Sequence, residues 1–245
     1  MSPPVRISEI GLYLRCPRLV YFQNLGSLAA PEDAARMLLR ALMFSLSSSP
    51  SSQFSVSDLQ GLLEENLALL KQELPVIYEI DSALVESACR DLEPEIESIS
   101  QGLAGSLNLL LPCEVEIDLR SEKLGLSGRL DRLVHGSVPC IIRTGRAPEA
   151  GVWKKDRIIL SGYSLLLGEK EKRHIPFGLV EYARQGLIRR VEIHGTDRAR
   201  VLRIRDRIRL IKQGRLPDRP DDAPCKGCQA EEICRTRHSL ASKFF

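Results

Sequence analysis

From the start of the chain to about position 105, apolar residues recur at three- and four-residue intervals, the period of helices with one buried side. The spacing predicts a short helix over Ile7–Tyr21, passing through Cys16, and a second over Pro31–Leu46 whose buried side is Leu38, Leu39, Leu42 and Phe44. Serines and Pro50 make 45–57 an exposed loop, and further helices fit Asp58–Glu73 and Ser82–Leu103. The period then changes. Leu111–Leu119, Leu124–His135 and Val138–Arg143 are short and rich in Val, Ile and Leu, with a Gly136-Ser137 turn, and read as a meander of three strands. A largely buried helix over Asp156–Gly168 follows, then strands over Ile175–Tyr182 and Leu187–His194 about an Arg184-Gln185-Gly186 turn, then a basic helix over Asp197–Lys212. Pro217, Pro220 and Pro224 lead extended chain into a cysteine tail. This order predicts one α/β domain over 1–245, with an N-terminal helical cap (1–105), a sheet core (106–215) and a C-terminal tail (216–245).

Composition changes little in that picture. With 43% hydrophobic and 27% charged residues in 245, the chain has the make-up of a globular domain, and no apolar run approaches a membrane span. The first residues lack the basic-then-apolar layout of a signal peptide, so a cytoplasmic location without membrane partners is expected. Net charge is only +3, but its distribution is uneven. Between Arg184 and Arg215 the acids are Glu192, Asp197 and Asp206, against eleven Arg and Lys positions.

Seven cysteines fall into two groups. Cys89, Cys113 and Cys140 are isolated in apolar sequence and read as small buried hydrophobes. Cys16 near the start, and Cys225-x2-Cys228-x5-Cys234 at the far end, form a thiol tetrad that can meet only if the ends of the domain come together. In a reducing compartment such thiols read as ligands. Structural zinc sites usually draw on two local pairs, so the one-plus-three split favours a [4Fe–4S] cluster, with zinc or an unliganded loop as alternatives. Gly227 would let the chain turn tightly around a bound sulfur. The tetrad reads as a staple closing a loop of about two hundred residues.

The chain resembles the CRISPR-associated RecB-like exonuclease family in Tyr13-Leu14-Arg15-Cys16-Pro17-Arg18, the 121–131 segment ending Gly128-Arg129-Leu130-Asp131, Arg143–Pro148, Asp156–Leu160 and the terminal cysteines, in the family's order. The resemblance implies a restriction-endonuclease-like (PD-(D/E)XK) sheet core of RecB type carrying a [4Fe–4S] cluster. It also implies Mg²⁺- or Mn²⁺-dependent DNA cleavage and association with a CRISPR integrase complex. The family's site uses carboxylates on two adjacent strands, a lysine two residues after the second acid, a histidine on an early helix and a glutamine on the next helix. Asp131 matches the first carboxylate and metal ligand. The second acid position is Ile141, the lysine position is Arg143, the glutamine position is Ile159, and Arg40 stands nearest the histidine's place. Isoleucine binds no cation and arginine stays protonated, so the nuclease site reads as degenerate. Glu114, Glu116, Glu149 and Asp156 read as solvent-facing charges or helix caps, and Asp131 as a remnant paired with Arg129, Arg132 or Arg143.

Arginines on the 197–212 helix alternate with Val201, Leu202, Ile204, Ile208 and Ile211, so one side packs and the rest is ringed with charge. Arg198, Arg203, Arg205 and Arg209, with Arg146, are the expected contacts to DNA phosphates. Trp153 and Tyr163 read as core aromatics rather than base-stacking groups, and His135, His174, His194 and His238 lack ligand spacing. Together these features predict a DNA-binding, catalytically degenerate protein acting in CRISPR adaptation. Two other readings remain: an active exonuclease trimming DNA ends before spacer integration, and a structural iron–sulfur subunit contacting only protein.

Overall fold

The computed structural model describes residues 3–28, 33–48 and 54–235; Pro31, Pro50 and His238 lie outside them. Two residues of strand, β1 (Val5–Arg6), lead into α1 (Ile7–Arg15) and α2 (Pro17–Asn24). The expected single helix is broken at Cys16, which is extended (φ −164°, ψ 125°). The cause is Pro17, whose ring excludes the helical conformation from the residue before it and then opens the next helix.

The cap consists of α3 (Ala34–Ser45), α4 (Val56–Tyr78), α5 (Ser82–Leu92) and α6 (Ile96–Ala104). A proline at Glu93-Pro94-Glu95 divides the expected 82–103 helix in two through one 3₁₀ turn. Leu46, where the expected helix runs into the expected loop, is fully buried in the cap's core.

The sheet is built from β2 (Cys113–Ser121), β3 (Leu126–Val134), β4 (Val138–Arg143), β5 (Phe177–Tyr182) and β6 (Leu187–Glu192), with β1 added. β2, β3 and β4 form the expected antiparallel meander. A right of way for the parallel β4–β5 pair is provided by the crossover helix α7 (Lys154–Glu171), and β5 and β6 close as an antiparallel hairpin. α8 (Gly195–Lys212) packs on α7.

Alternation along the strands sends side chains to two cores. Cys140, Ile142 and Leu179 face the cap, whereas Ile141, Val180 and Tyr182 face α1, α7 and α8. The domain is therefore a sheet between two helical layers. Among the described residues no helix is long and apolar enough to cross a membrane.

Candidate functional site

One edge of β3 is covered along its length by β2, while the other is shared. β1 pairs there with Leu126 and Ser127, and β4 only with Arg132–Val134. Beyond Arg132 and Cys140 the two strands part, and the gap is bridged by a side chain: Asp131 Oδ2 accepts from the Ile142 N–H at 2.7 Å. On the β2 side the ladder runs through Val115↔Arg132 and Ile117↔Leu130 but omits Glu116 and Asp131, and Glu116 has φ 53°. A non-glycine residue in that region marks a local kink. The kink breaks the alternation, so that Leu130 and Leu133 both join the α7-side core.

Asp131 is 4% exposed, and its other oxygen is ion-paired with Arg40 of α3. The partner is thus neither Arg129 nor Arg132 nor Arg143, as the sequence suggested, but the residue standing near the place of the early-helix histidine. Burial pushes the Asp131 carboxyl up, opposed by Arg40 and the Ile142 N–H. Ile141 is fully buried in the α7-side core. Arg143 places Nε 2.7 Å from Asp156 Oδ1, and the Tyr182 hydroxyl donates to Asp156 Oδ2 at 3.0 Å. Asp156 is 1% exposed, which corrects its reading as a solvent-facing charge or cap. Ile159 is half-buried and lies against Gly11 of α1. Glu114, Glu116 and Glu149 are exposed.

A third acid escaped the sequence reading. Glu181, on β5 opposite Ile142, is fully buried and ion-paired at 3.1 Å with the equally buried Arg132. Desolvation pushes its carboxyl up against the pull of Arg132. Arg132 also donates to the Met43 carbonyl at the end of α3 and to Cys113 Sγ at 3.4 Å, tying cap to sheet. Cys113 is consequently a half-buried acceptor rather than a buried hydrophobe, while Cys89 and Cys140 are buried as expected. The signal for Glu181 was one acid inside the apolar run Phe177–Tyr182, because a carboxylate buried in a strand requires a cationic partner.

Three acids therefore each face an arginine: Asp131 with Arg40, Asp156 with Arg143, Glu181 with Arg132. Among the described residues no three His, Cys, Asp or Glu side chains are arranged to hold a metal ion. A hard divalent ion needs several free oxygen ligands. With Ile141 apolar and Asp131 and Asp156 both held by guanidinium groups, these residues do not fit Mg²⁺ or Mn²⁺.

The thiols are disposed differently. Cys16, Cys225, Cys228 and Cys234 line one cavity of about 80 Å³, well above the roughly 10–15 Å³ that a single water requires. The break at Pro17 turns Cys16 toward the tail, where Leu19, Phe22 and Ala230 pack around it. On the other side Cys228 N–H bonds back to the Cys225 carbonyl at 3.0 Å, over a Gly227 with φ 72°. Cys234 follows in a helical turn, its N–H on the Ala230 carbonyl at 2.8 Å. Burial raises the Cys16 thiol, and the neighbouring Cys228 and Cys234 add to the shift. Arg18 is buried, donating from Nη1 to Cys234 Sγ at 3.2 Å and from Nε to the Pro217 carbonyl at 3.0 Å. Four sulfurs thus line one cavity, with a guanidinium against one of them.

The expected phosphate contacts divide into two kinds. Arg205 donates to the Leu124 carbonyl at 2.6 Å and pairs with Asp206. Arg209 lies against Gly125, whose φ of 59° and missing side chain leave room for the guanidinium. Both hold the β2–β3 turn onto α8. Arg198 is bonded to the Ile175 carbonyl at 2.5 Å. Arg146 and Arg203 are exposed, as is Arg207, which reaches the Tyr13 hydroxyl at 3.4 Å. Tyr163 is buried and donates to the Arg129 carbonyl at 2.7 Å, but Trp153 is 46% exposed, which corrects its reading as a core aromatic.

No protein-family profile matches the chain. An uncharacterized protein of Archaeoglobus fulgidus is 27% identical over 246 residues, covering 98% of this chain and 99% of its own. A CRISPR-associated exonuclease Cas4/endonuclease Cas1 fusion of Leptospira interrogans is 30% identical over 125 residues. That alignment covers 46% of this chain and 23% of the fusion. Among solved structures, a candidate exonuclease from Eubacterium rectale superposes with a TM-score of 0.52 at 13% identity, covering 91% of this chain and 86% of that one. The sheet order, the crossover helix and this superposition identify the fold of the chain as restriction-endonuclease-like α/β.

Proposed function

We propose that this chain is a non-cleaving member of the CRISPR-associated RecB-like exonuclease family. On this reading it is a single cytoplasmic domain over 1–245 that binds DNA and acts beside a CRISPR integrase complex in spacer acquisition. A [4Fe–4S] cluster on Cys16, Cys225, Cys228 and Cys234 closes it. The observation that carries the reading is the ion pair between Arg40 and Asp131. Hydrolysis of this type needs a carboxylate free to hold a cation beside the scissile phosphate. Here a fixed positive charge faces the retained acid, and an apolar side chain stands where the second acid belongs. Partial similarity to the Leptospira fusion and the nuclease-type fold support the family. Exposed Arg146, Lys154, Lys155, Arg203 and Arg207 support nucleic acid as ligand.

The thiol cavity supports a cluster over a single ion. One zinc needs its sulfurs converging on a point, whereas a cluster takes a thiolate at each iron and needs them spread around a cavity. When bound, the cluster supplies metal–thiolate bonds that join α2 to the tail as a cross-link.

Two measurements test the proposal. Labelled single- and double-stranded DNA incubated with Mg²⁺ or Mn²⁺ should be retained at low salt and remain uncut. Cleavage abolished by Asp131→Ala would overturn the non-cleaving role, and absence of retention would overturn DNA binding. Anaerobically purified protein should be brown, with absorbance near ~400 nm. Stoichiometric zinc in colourless protein would exclude the cluster.

A further inference from the structure

We propose that the groove between α4 and the α5–α6 pair is a docking site for a basic amphipathic helix of a partner protein. The site lies on the cap and carries the opposite charge to a nucleic-acid surface, so it stands independently of the DNA-binding reading above.

The groove originates at Pro94. The 3₁₀ turn Glu93-Pro94-Glu95 sets α6 off from α5, and α4 packs against both helices. Leu67, Cys89 and Ile96, one from each of the three helices, are buried and form the floor. Beside Leu67 stands Ala68, exposed and too small to fill the space above it. The resulting cavity measures about 440 Å³, within the roughly 300–1,000 Å³ of sites that hold ligands. Glu64 of α4 and Glu93 of the turn stand at its mouth, while Lys71 is drawn toward Glu86. Helical spacing carries the line Glu64, Ala68, Lys71 on to Tyr78, two turns further along α4. Tyr78 and its neighbours Val76 and Ile77 are each more than half exposed. From Ala68 to Tyr78 this line runs about 15 Å, close to three turns of a helix laid along it.

Charge selects the occupant. Between Ser55 and Gly105 the chain holds eleven acidic and two basic residues, a net charge of −9, whereas the rest of the chain carries +12. Few of these acids are matched within the molecule. Glu86 pairs with Lys71, Glu95 pairs with Arg184, and Asp81 caps α5. Glu64, Glu65, Asp91, Glu93 and Glu97 are exposed and form no ion pair among the described residues. Such a field repels phosphates and attracts cationic surfaces. A small cation would fill the cavity but leave the exposed end of α4 and the wider field of acids unused. A basic amphipathic helix meets all three features, its apolar anchors entering the groove and covering Tyr78 while its Lys and Arg flank them against Glu64 and Glu93. A second copy supplies no such helix among the described residues. The basic α8 buries Val201, Ile204, Ile208 and Ile211 in its own core, leaving Leu210 as its one exposed large apolar side chain.

The probe is a labelled leucine–lysine peptide patterned as an amphipathic helix, titrated with the 245-residue chain at about 150 mM salt and followed by anisotropy. It should bind saturably. A scrambled peptide of the same composition should bind about ten-fold more weakly or worse, and a leucine–glutamate helix should not bind. Ala68→Trp, which fills the groove from an exposed position, should weaken binding about ten-fold or more. Glu64→Lys/Glu93→Lys should weaken it and flatten its salt dependence, whereas Lys170→Glu, on α7, should do neither. Circular dichroism confirms that each variant folds. Equal binding of the scrambled peptide would reduce the effect to charge attraction and overturn the site, as would binding unchanged in Ala68→Trp or no binding at all. Sedimentation of the protein alone should show no association through the cap. A dimer that Ala68→Trp dissociates would assign the groove to a second copy and overturn the partner helix. Each of these outcomes leaves DNA retention, measured separately, untouched.

Discussion

The acidic centre and the thiol cavity both gather like side chains from distant parts of the chain, yet they are finished in opposite ways. At the sheet, each of Asp131, Asp156 and Glu181 is matched by an arginine. Where α2 meets the tail, four thiols line a cavity, and Arg18 donates to Cys234. Carboxylates buried without a metal cation need other positive charge beside them, and guanidinium groups provide it. Thiols can be buried as small, weakly polar groups and impose no such demand. The acidic centre is therefore self-sufficient, while the thiols line a cavity without needing any such match.

The strongest way to break this contrast is to remove half of a pair. Glu181→Gln leaves Arg132 buried without its counter-charge and should cost about 3–5 kcal/mol in urea unfolding. Replacing both with apolar residues, Arg132→Met/Glu181→Leu, should restore most of that loss; failure to do so would mean that the Met43 and Cys113 contacts of Arg132 dominate. Cys225→Ala should remove visible absorbance and destabilise the protein by roughly 2–5 kcal/mol, the range for losing a cross-link over a long loop. The same loss in apo protein would show that packing, not a bound group, holds the tail.

Asp131→Asn sharpens the contrast through pH. Burial raises the Asp131 carboxyl above its ordinary value of 3.8, so the folded state holds the proton more tightly than the unfolded chain. The associated stability is fully present below that ordinary value and is lost as pH rises through the folded pKa. Wild type should therefore lose ground to Asp131→Asn as pH rises above that ordinary value, measured by thermal melts of both. A constant difference would show that Arg40 neutralises the acid at every pH. The smallest effect belongs to Arg205→Ala, which removes the bond to the Leu124 carbonyl and should cost about 0.5–1.5 kcal/mol with DNA affinity unchanged.

Periodicity made much of the architecture readable. β4 falls at Val138–Arg143 as the pattern predicts, and β2, β3, β5 and β6 begin and end within two residues of expectation, whereas the two-residue β1 was not foreseen. Helix boundaries failed where proline intervened, at Pro17 and Pro94, because apolar spacing carries no information about the backbone. At the site, Asp131, Ile141 and Arg143 could be aligned by residue type, but their partners could not. Arg40 and Asp131 are 91 positions apart, and only the packing of cap on sheet brings them together. The arginines of α8 were legible as charge but not as turn supports, since their acceptors are backbone carbonyls that every sequence possesses.

The pairing of Cys16 with the tail also bears on how the molecule is made. Arg18 and its contact Cys234 are separated by 216 positions, and β1 reaches the sheet only through the same N-terminal segment. At ribosomal rates of about 5–20 residues per second, α1 and α2 emerge roughly 10–40 seconds before the cysteines that embrace them. During that interval Cys16 and the apolar side of α2 lack the tail that packs on them, so a nascent chain displays them to chaperones or to neighbouring chains. Closure waits for the tail, and any stall between β6 and Cys225 leaves the beginning of the chain unattached.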